Sequence, residues 1–110
     1  MEINELVDKY QKQFNLMDWD ISCVETEALN TEASTKTLFN DYKASMLIKA
    51  GKSDVEKEKS IIHELLHLIF RDAYDIFADT VEDEFAKTYC ERQHERAIEK
   101  TAKIIYQLNR

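Results

Sequence analysis

The sequence predicts a small α+β domain in which a short, mostly antiparallel three-stranded sheet packs against three or four helices. The chain has 110 residues, of which 44% are hydrophobic, which is enough for one compact core and too little for two. One Gly and no Pro are typical of long helices with few tight turns. Apolar residues repeat at helical spacing near both ends of the chain and with a period of two between them. We therefore expect a single domain over residues 1–110.

The N-terminal segment predicts a helix followed by a strand. Between Ile3 and Phe14, apolar residues recur every three or four positions, which gives one face of a helix that ends near residues 16–17. From Trp19 the period changes to two, which predicts a strand over about residues 19–26. Residues 27–34 are expected to form a loop.

Two further strands predict a hairpin in the middle of the chain. Residues 35–39 carry β-forming side chains, and residues 43–50 make a stronger strand pattern. The dipeptide Asn40-Asp41 between them suits a turn, and the only glycine, Gly51, ends the second strand.

The next segment predicts a helix that enters the core. Ser53 followed three residues later by Glu56 is a capping-box pattern, so the helix should begin at about Asp54. Its first turns are highly charged, whereas residues 61–70 are mostly apolar. Residues 72–79 break the pattern, so we expect the helix to end before them.

The last segment predicts either one long helix or two helices joined near residue 90. Asp79 with Glu82 three residues on suggests an N-cap, and no breaker follows before Leu108. Two apolar stripes are separated by the polar residues 91–96. The members of the stripes are Val81, Phe85 and Tyr89, and then Ala97, Ile98, Thr101, Ile104, Ile105 and Leu108.

Charge and composition argue against several classes of partner. The net charge is −7, from 22 acidic and 15 basic residues, and no Lys or Arg cluster is dense enough to follow a phosphate backbone. No apolar stretch approaches the roughly 18 residues of a membrane span, and the first residues lack the features of a signal peptide. Cys23 and Cys90 lie far apart, which favours free thiols in a reducing compartment. We expect a cytoplasmic protein without a nucleic-acid or membrane partner, and its oligomeric state is not indicated.

The most informative feature is the motif His63-Glu64-Leu65-Leu66-His67, which spells H-E-x-x-H. On a helix the two imidazoles lie one turn apart on the same face, where both can bind one zinc ion. Glu64 lies about 100° around the helix from His63, close enough to act on a metal-activated water without binding the metal. This pattern predicts a zinc-dependent hydrolase with Glu64 as general base.

A catalytic zinc ion needs a third protein ligand and an open position for water. The extended pattern H-E-x-x-H-x-x-G-x-x-H is excluded, because Phe70 and Ala73 stand where Gly and His would be required. The last helix is the natural source instead.

Glu95 is the favoured third ligand, because it lies one turn before Ile98, and the stripe formed by Ile98, Ala102 and Ile105 must face the core. Glu91, one turn further out, and His94 are the alternatives. Glu99 would then lie beside Glu95 and could accept the other ring N–H of a ligand histidine.

Two questions stay open at the level of the sequence. Tyr89, Tyr106 and His94 have side chains that could stabilise an oxyanion, and nothing in the sequence places any of them. A purely structural interpretation would bury the two motif histidines in the core. That interpretation must also find a partner for Glu64, because an unpaired buried charge costs several kcal/mol.

Two stretches resemble a known family. Residues 61–69 look like the active-site helix of zincin metallopeptidases, especially the small gluzincin-type ones. Residues 95–102 resemble, more loosely, the glutamate helix of small intracellular and phage-encoded peptidases, including those related to ImmA/IrrE. The order of elements is also similar to the minimal zincin layout. The resemblance implies that the strand before the motif helix, residues 43–50, lines the cleft and pairs with an extended peptide.

The sequence therefore predicts a zincin-like zinc metallopeptidase that acts on a peptide or protein substrate. Zinc would be held by His63, His67 and Glu95, with Glu64 as general base. The alternative is a non-catalytic or latent zinc-binding protein, in which the metal staples the fold or supports a regulatory interaction. A third hypothesis is a regulatory protein that cleaves one partner only.

Overall fold

The computed structural model describes residues 2–31, 33–38 and 42–110, with the backbone alone for residues 38 and 72–79. Three helices and three strands form an α+β fold, as predicted. In chain order the elements are α1 (Ile3–Gln13), β1 (Asp20–Thr26), β2 (Ala33–Leu38), β3 (Lys43–Lys49), α2 (Asp54–Thr80) and α3 (Glu84–Leu108). In the part of the chain so described, no helix combines the length and the apolarity that crossing a bilayer requires.

The sheet is mixed, with the strand order β1-β3-β2. β2 and β3 pair antiparallel, which confirms the predicted hairpin, whereas β1 and β3 run parallel. The prediction of a mostly antiparallel sheet is therefore wrong, because one of the two pairings is parallel. A period of two assigns side chains to faces of a strand and does not determine strand order or direction. The predicted turn at Asn40-Asp41 lies outside the described residues.

One face of the sheet forms the core together with the three helices. Met46 and Ile48 of the central strand are buried against the apolar run of α2, and Tyr10 of α1 closes the side next to β1. Ile98 and Ala102 of α3 complete this core, whereas Ile104 and Leu108 of the predicted stripe are exposed. Each fully buried aliphatic side chain contributes about 1.5–3 kcal/mol, so this shared core holds α2 firmly between the sheet and α3.

α2 starts as predicted but ends later. The Ser53 hydroxyl accepts a hydrogen bond from the Glu56 backbone N–H at 3.2 Å, which is half of the predicted capping box. The backbone stays helical through residues 72–79, where we expected a break. Loss of apolar periodicity does not by itself end a helix, and residues 72–79 contain neither Gly nor Pro, the residues that most strongly interrupt one.

α3 is one continuous helix, and its cap differs from the prediction. Asp83 is the N-cap, and its carboxylate accepts a hydrogen bond from the Phe85 backbone N–H at 3.0 Å. Asp79 is still within α2, so the predicted pair of Asp79 and Glu82 does not start the helix. The first apolar stripe does not reach the core, since Phe85 and Tyr89 are both exposed.

A buried carboxylate links the ends of the helices. Glu58 of α2 accepts a hydrogen bond from the Tyr10 hydroxyl at 2.7 Å. It also forms an ion pair with Arg110, just beyond the end of α3. Burial and the neighbouring Glu58 raise the pKa of the Tyr10 hydroxyl far above its usual range. This network fixes the distal end of α3 against α1 and α2.

Candidate metal centre

The motif histidines lie at the edge of the buried face of α2. Their positions on the helix place them between the core-facing side chains and the cleft, where each side chain is slightly more than a quarter exposed. The side chains that hold this part of the helix in place are Ile61, Ile62, Leu65, Leu66 and Leu68. Because these neighbours are locked in the core, His63 and His67 are presented from a rigid element.

Three side chains converge on one point. The Nε2 atoms of His63 and His67 are 3.2 Å apart. Glu95 places its Oε1 atom 3.1 Å from His67 Nε2 and its Oε2 atom 3.4 Å from His63 Nε2. Glu95 reaches this point because Ile98, one turn further along α3, is buried in the core and sets the rotation of the helix.

These distances can be compared with the requirements of a metal ion. Four ligands at about 2.0–2.1 Å from a tetrahedral zinc ion lie about 3.3–3.4 Å from one another. The three separations of 3.1, 3.2 and 3.4 Å lie close to this value. Two imidazoles and one carboxylate also form the donor set of a catalytic zinc site with one open position. The residues present therefore fit such an ion.

Glu64 lies beside this triangle, on the buried side. Its carboxylate and the two imidazoles each offer a ligand atom within 4.8 Å of one another. Glu95 lies 3.1 and 3.4 Å from the two imidazoles, so both carboxylates border the same pair of rings. The purely structural interpretation of the motif is disfavoured, because it gives no reason for the burial of Glu64, whereas a metal site beside Glu64 does.

The surroundings of Glu64 change its acidity. Burial, and then the negative charge of Glu95, raise the pKa of the Glu64 carboxyl to about 7. The nearby Thr35 hydroxyl partly offsets this rise and has the smallest effect of the three on the pKa of Glu64. Its oxygen is buried and forms no hydrogen bond within the described part of the chain.

Burial has the opposite effect on His67. It lowers the pKa of the imidazole, and the neighbouring His63 and His94 act in the same direction, whereas Glu95 opposes them. The net shift favours the neutral ring, which is the form that binds a metal ion.

The alternative third ligands lie in the same region. Glu91, His94, Glu95 and His67 line one cavity of about 250 Å³. The His94 ring centroid is 5.8 Å from that of His67, and Glu91 has no described contact with either motif histidine. Glu95 lies 3.1 Å from His67 Nε2 and 3.4 Å from His63 Nε2.

A cleft runs along both sides of Glu64. On one side a cavity of about 310 Å³ is bordered by Ala33, Ala102 and Glu99. On the other side a cavity of about 650 Å³ is bordered by residues 35–37 of β2 and by Arg71. The site is therefore open to a ligand longer than a single amino acid.

The strand that borders this cleft is β2, whereas the resemblance implied residues 43–50. That expectation is wrong, because β3 is central and both of its edges are already paired, to β1 and β2. β2 pairs on one side only among the described strands. An edge strand is the one that can accept an added peptide strand.

β2 and Arg71 both border the cleft, and neither was predicted to do so from the sequence. Arg71 follows His67 by four residues, so helical spacing alone would have placed it on the same face. The position of β2 could not be found in this way, because it depends on the order in which the strands pair.

The fold and the site together define a class, an α+β domain in which an H-E-x-x-H helix and a glutamate helix converge on one potential metal site. Residues 23–103 match the family model described as IrrE N-terminal-like domain, Peptidase M78. The match covers most of the chain, and the chain belongs to this metallopeptidase family, which confirms the resemblance to ImmA/IrrE-like peptidases. No curated protein and no solved structure matches the chain.

Proposed function

We propose that the protein is a zinc metallopeptidase that hydrolyses peptide bonds with Glu64 as general base. The observation that carries the proposal is the triangle formed by His63, His67 and Glu95, with separations of 3.1–3.4 Å, beside the buried Glu64 carboxylate. Membership of a peptidase family supports the same reaction class.

The side chains have distinct roles in this proposal. Zinc, held by His63, His67 and Glu95, would supply a Lewis acid that polarises the substrate carbonyl and acidifies water. Glu64 takes a proton from the attacking water and returns it to the leaving amine. Burial makes the Glu64 carboxylate more basic than an exposed one, which suits it to both transfers.

The cleft suggests how a peptide is bound. An extended peptide would add to the free edge of β2, where main-chain hydrogen bonds supply affinity without regard to sequence. One substrate side chain would enter the cavity of about 310 Å³ next to Glu64, whose walls include the methyl groups of Ala33 and Ala102. A cavity of this size and lining suits a small or medium apolar side chain.

The test combines metal content with activity. Wild type and Glu64→Gln are purified without added metal, their zinc content is measured, and both are incubated with a mixture of peptides analysed by mass spectrometry. We expect about one zinc per chain in both proteins and cleavage by wild type alone. Absence of zinc from the wild type, or equal cleavage by both proteins, would refute the proposal.

A second candidate is a non-catalytic zinc protein in which the metal staples α3 to α2. One observation favours it: none of residues 84–97 is buried, so this half of α3 has little apolar contact with the core. A zinc ion bound through Glu95 would then hold the helix in place. Equal zinc content without cleavage in either protein, together with a large loss of thermal stability on chelation, would favour this candidate over the peptidase.

A further inference from the structure

We propose that His94 is a catalytic residue that donates a hydrogen bond to the carbonyl oxygen of the scissile peptide bond as negative charge develops on it. This inference rests on the proposed peptidase function and names the group that the zinc ligands and Glu64 leave unassigned. Three side chains are suitable by type, namely Tyr89, Tyr106 and His94, and their positions in the structure separate them.

Tyr106 is in the wrong place. Its ring lies 4.0 Å from the guanidinium carbon of Arg110 and 4.9 Å from the Lys59 ammonium. It borders a separate cavity together with Leu6 and Glu58, at the distal end of α3. A side chain enclosed in this way cannot contact a substrate in the metal cleft.

Tyr89 is excluded by its direction. It precedes His94 by five residues, so it lies about 140° around α3 from His94. Its side chain is 58% exposed, and it borders none of the described cavities that contain Glu64 or His67. Tyr89 therefore faces away from the site.

His94 is the candidate that faces the cleft. It borders the cavity of about 650 Å³ together with Glu64 and His67. It also borders the smaller cavity with His67 and Glu95, and its ring centroid is 5.8 Å from that of His67. His94 thus lies beside the His67 ring and on the wall of the cleft.

The two walls of the cleft come from different helices. Glu64 belongs to α2 and His94 to α3, and the His67 imidazole lies in the cavity that both of them border. A carbonyl group held in this cavity can meet the base from one helix and a hydrogen-bond donor from the other. The role requires only the N–H of a neutral imidazole, so no change of protonation is involved.

The rival assignment for His94 is that of a metal ligand. Glu95 already contacts both motif imidazoles at 3.1 and 3.4 Å, whereas the ring centroid of His94 is 5.8 Å from that of His67. The two assignments differ in their effect on zinc. Loss of a ligand releases the metal, whereas loss of a donor to the substrate leaves the metal bound.

The experiment uses His94→Phe, which removes the N–H donor, and His94→Gln, which keeps an N–H donor on a side chain of similar reach. Tyr89→Phe is the matched control on the exposed side of the same helix. We measure the zinc content of each protein, and its kcat and KM on a peptide that wild type cleaves. We also measure its affinity for a phosphinic peptide, whose tetrahedral phosphorus and attached oxygens resemble the transition state.

We expect zinc content to be unchanged in all three variants. In His94→Phe, kcat should fall by about 10²–10³-fold with little change in KM, and phosphinate affinity should fall with it. His94→Gln should recover part of both, and Tyr89→Phe should behave like wild type.

Loss of zinc from His94→Phe would overturn the proposal in favour of a ligand role, and an unchanged kcat or an equal loss in the Phe and Gln variants would also overturn it. If zinc-loaded wild type cleaves no peptide, phosphinate affinity decides the assignment of His94. An affinity unchanged by His94→Phe then overturns it, and a loss with zinc retained supports it, whereas the lack of cleavage counts against the proposed peptidase function alone.

Discussion

At the scale of single residues, burial controls the chemistry of Glu64. The folded state raises the pKa of the carboxyl from 4.5 to about 7, first through burial and then through Glu95. In the metal-free protein the folded state therefore binds more protons than the unfolded state between these two values. Stability must fall as pH rises through this window, and the full penalty is present above about pH 7.

The substitution Glu64→Gln should consequently stabilise the metal-free protein at alkaline pH. Gln has nearly the same shape and does not ionise, so the variant avoids a penalty of at most about 3 kcal/mol at pH 8. At pH 4, where the wild-type carboxyl is protonated, the two proteins should differ little. Urea unfolding of chelator-treated proteins at both pH values measures the difference. Equal stabilities at pH 8 would contradict the burial argument.

The two cysteines should differ sharply in reactivity. Burial, and then the negative charge of Glu25, raise the pKa of the Cys23 thiol to about 11, so little thiolate is present at pH 8. Cys90 on α3 is partly exposed. Brief alkylation with iodoacetamide at pH 8, followed by peptide mass spectrometry, should label Cys90 well before Cys23. Cys90→Ser should then remain almost unlabelled until it is unfolded, and rapid labelling of this variant while folded would show that Cys23 is accessible.

At the scale of secondary-structure elements, the rotation of α3 decides which of its acidic side chains faces the two motif histidines. Glu95 approaches both imidazoles because Ile98 and Ala102 are buried, whereas Glu91 only borders the adjoining cavity. We expect Glu95→Ala to weaken zinc affinity by more than about 100-fold, which exceeds the usual effect of losing an outer-shell partner. Glu91→Ala is the matched control and should lose less than about tenfold. Chelator competition measures both affinities, and the reverse order would move the site by one turn.

The elements also show what sequence patterns can predict. His63, Glu64 and His67 lie within five consecutive residues, so helix geometry brings them together without any knowledge of the fold. Glu95 followed from one long-range inference, that Ile98, Ala102 and Ile105 face the core, and the structure buries Ile98 and Ala102 and packs Ile105 against them.

The remaining features depend on contacts between distant segments. The parallel pairing of β1 with β3, and hence the edge position of β2, results from the order in which three strands assemble. Alternation of side chains within each strand carries no information about that order. The continuation of α2 through residues 72–79 was not predicted, because loss of apolar periodicity does not by itself mark a helix end.

At the scale of the whole molecule, the metal centre depends on two helices being held at a fixed distance. The core fixes them near Ile98, and the network of Tyr10, Glu58 and Arg110 fixes them at the other end of α3. Zinc would add a third point of attachment through Glu95. A metal ion bound at this site would therefore be coupled to the packing of α3 on α2.

Tyr10→Phe tests the contribution of this network. The substitution removes a 2.7 Å hydrogen bond to a buried carboxylate and leaves the aromatic ring in place. A hydrogen bond to a charged group contributes about 1.5–3 kcal/mol, so the free energy of unfolding should fall by about that amount. Tyr89→Phe, at an exposed position, should cost less than about 0.5 kcal/mol. Equal effects of the two substitutions in urea unfolding would contradict the structural role of Glu58.

The most direct test of the metal centre is a crystal structure of the zinc-loaded protein with anomalous data collected at the zinc edge. We expect one strong anomalous peak about 2.0–2.2 Å from Nε2 of His63, Nε2 of His67 and an oxygen of Glu95, with Glu64 outside bonding distance. A peak bound by Glu91, His94 or Cys90 in place of Glu95, or no peak between the two motif histidines, would contradict it.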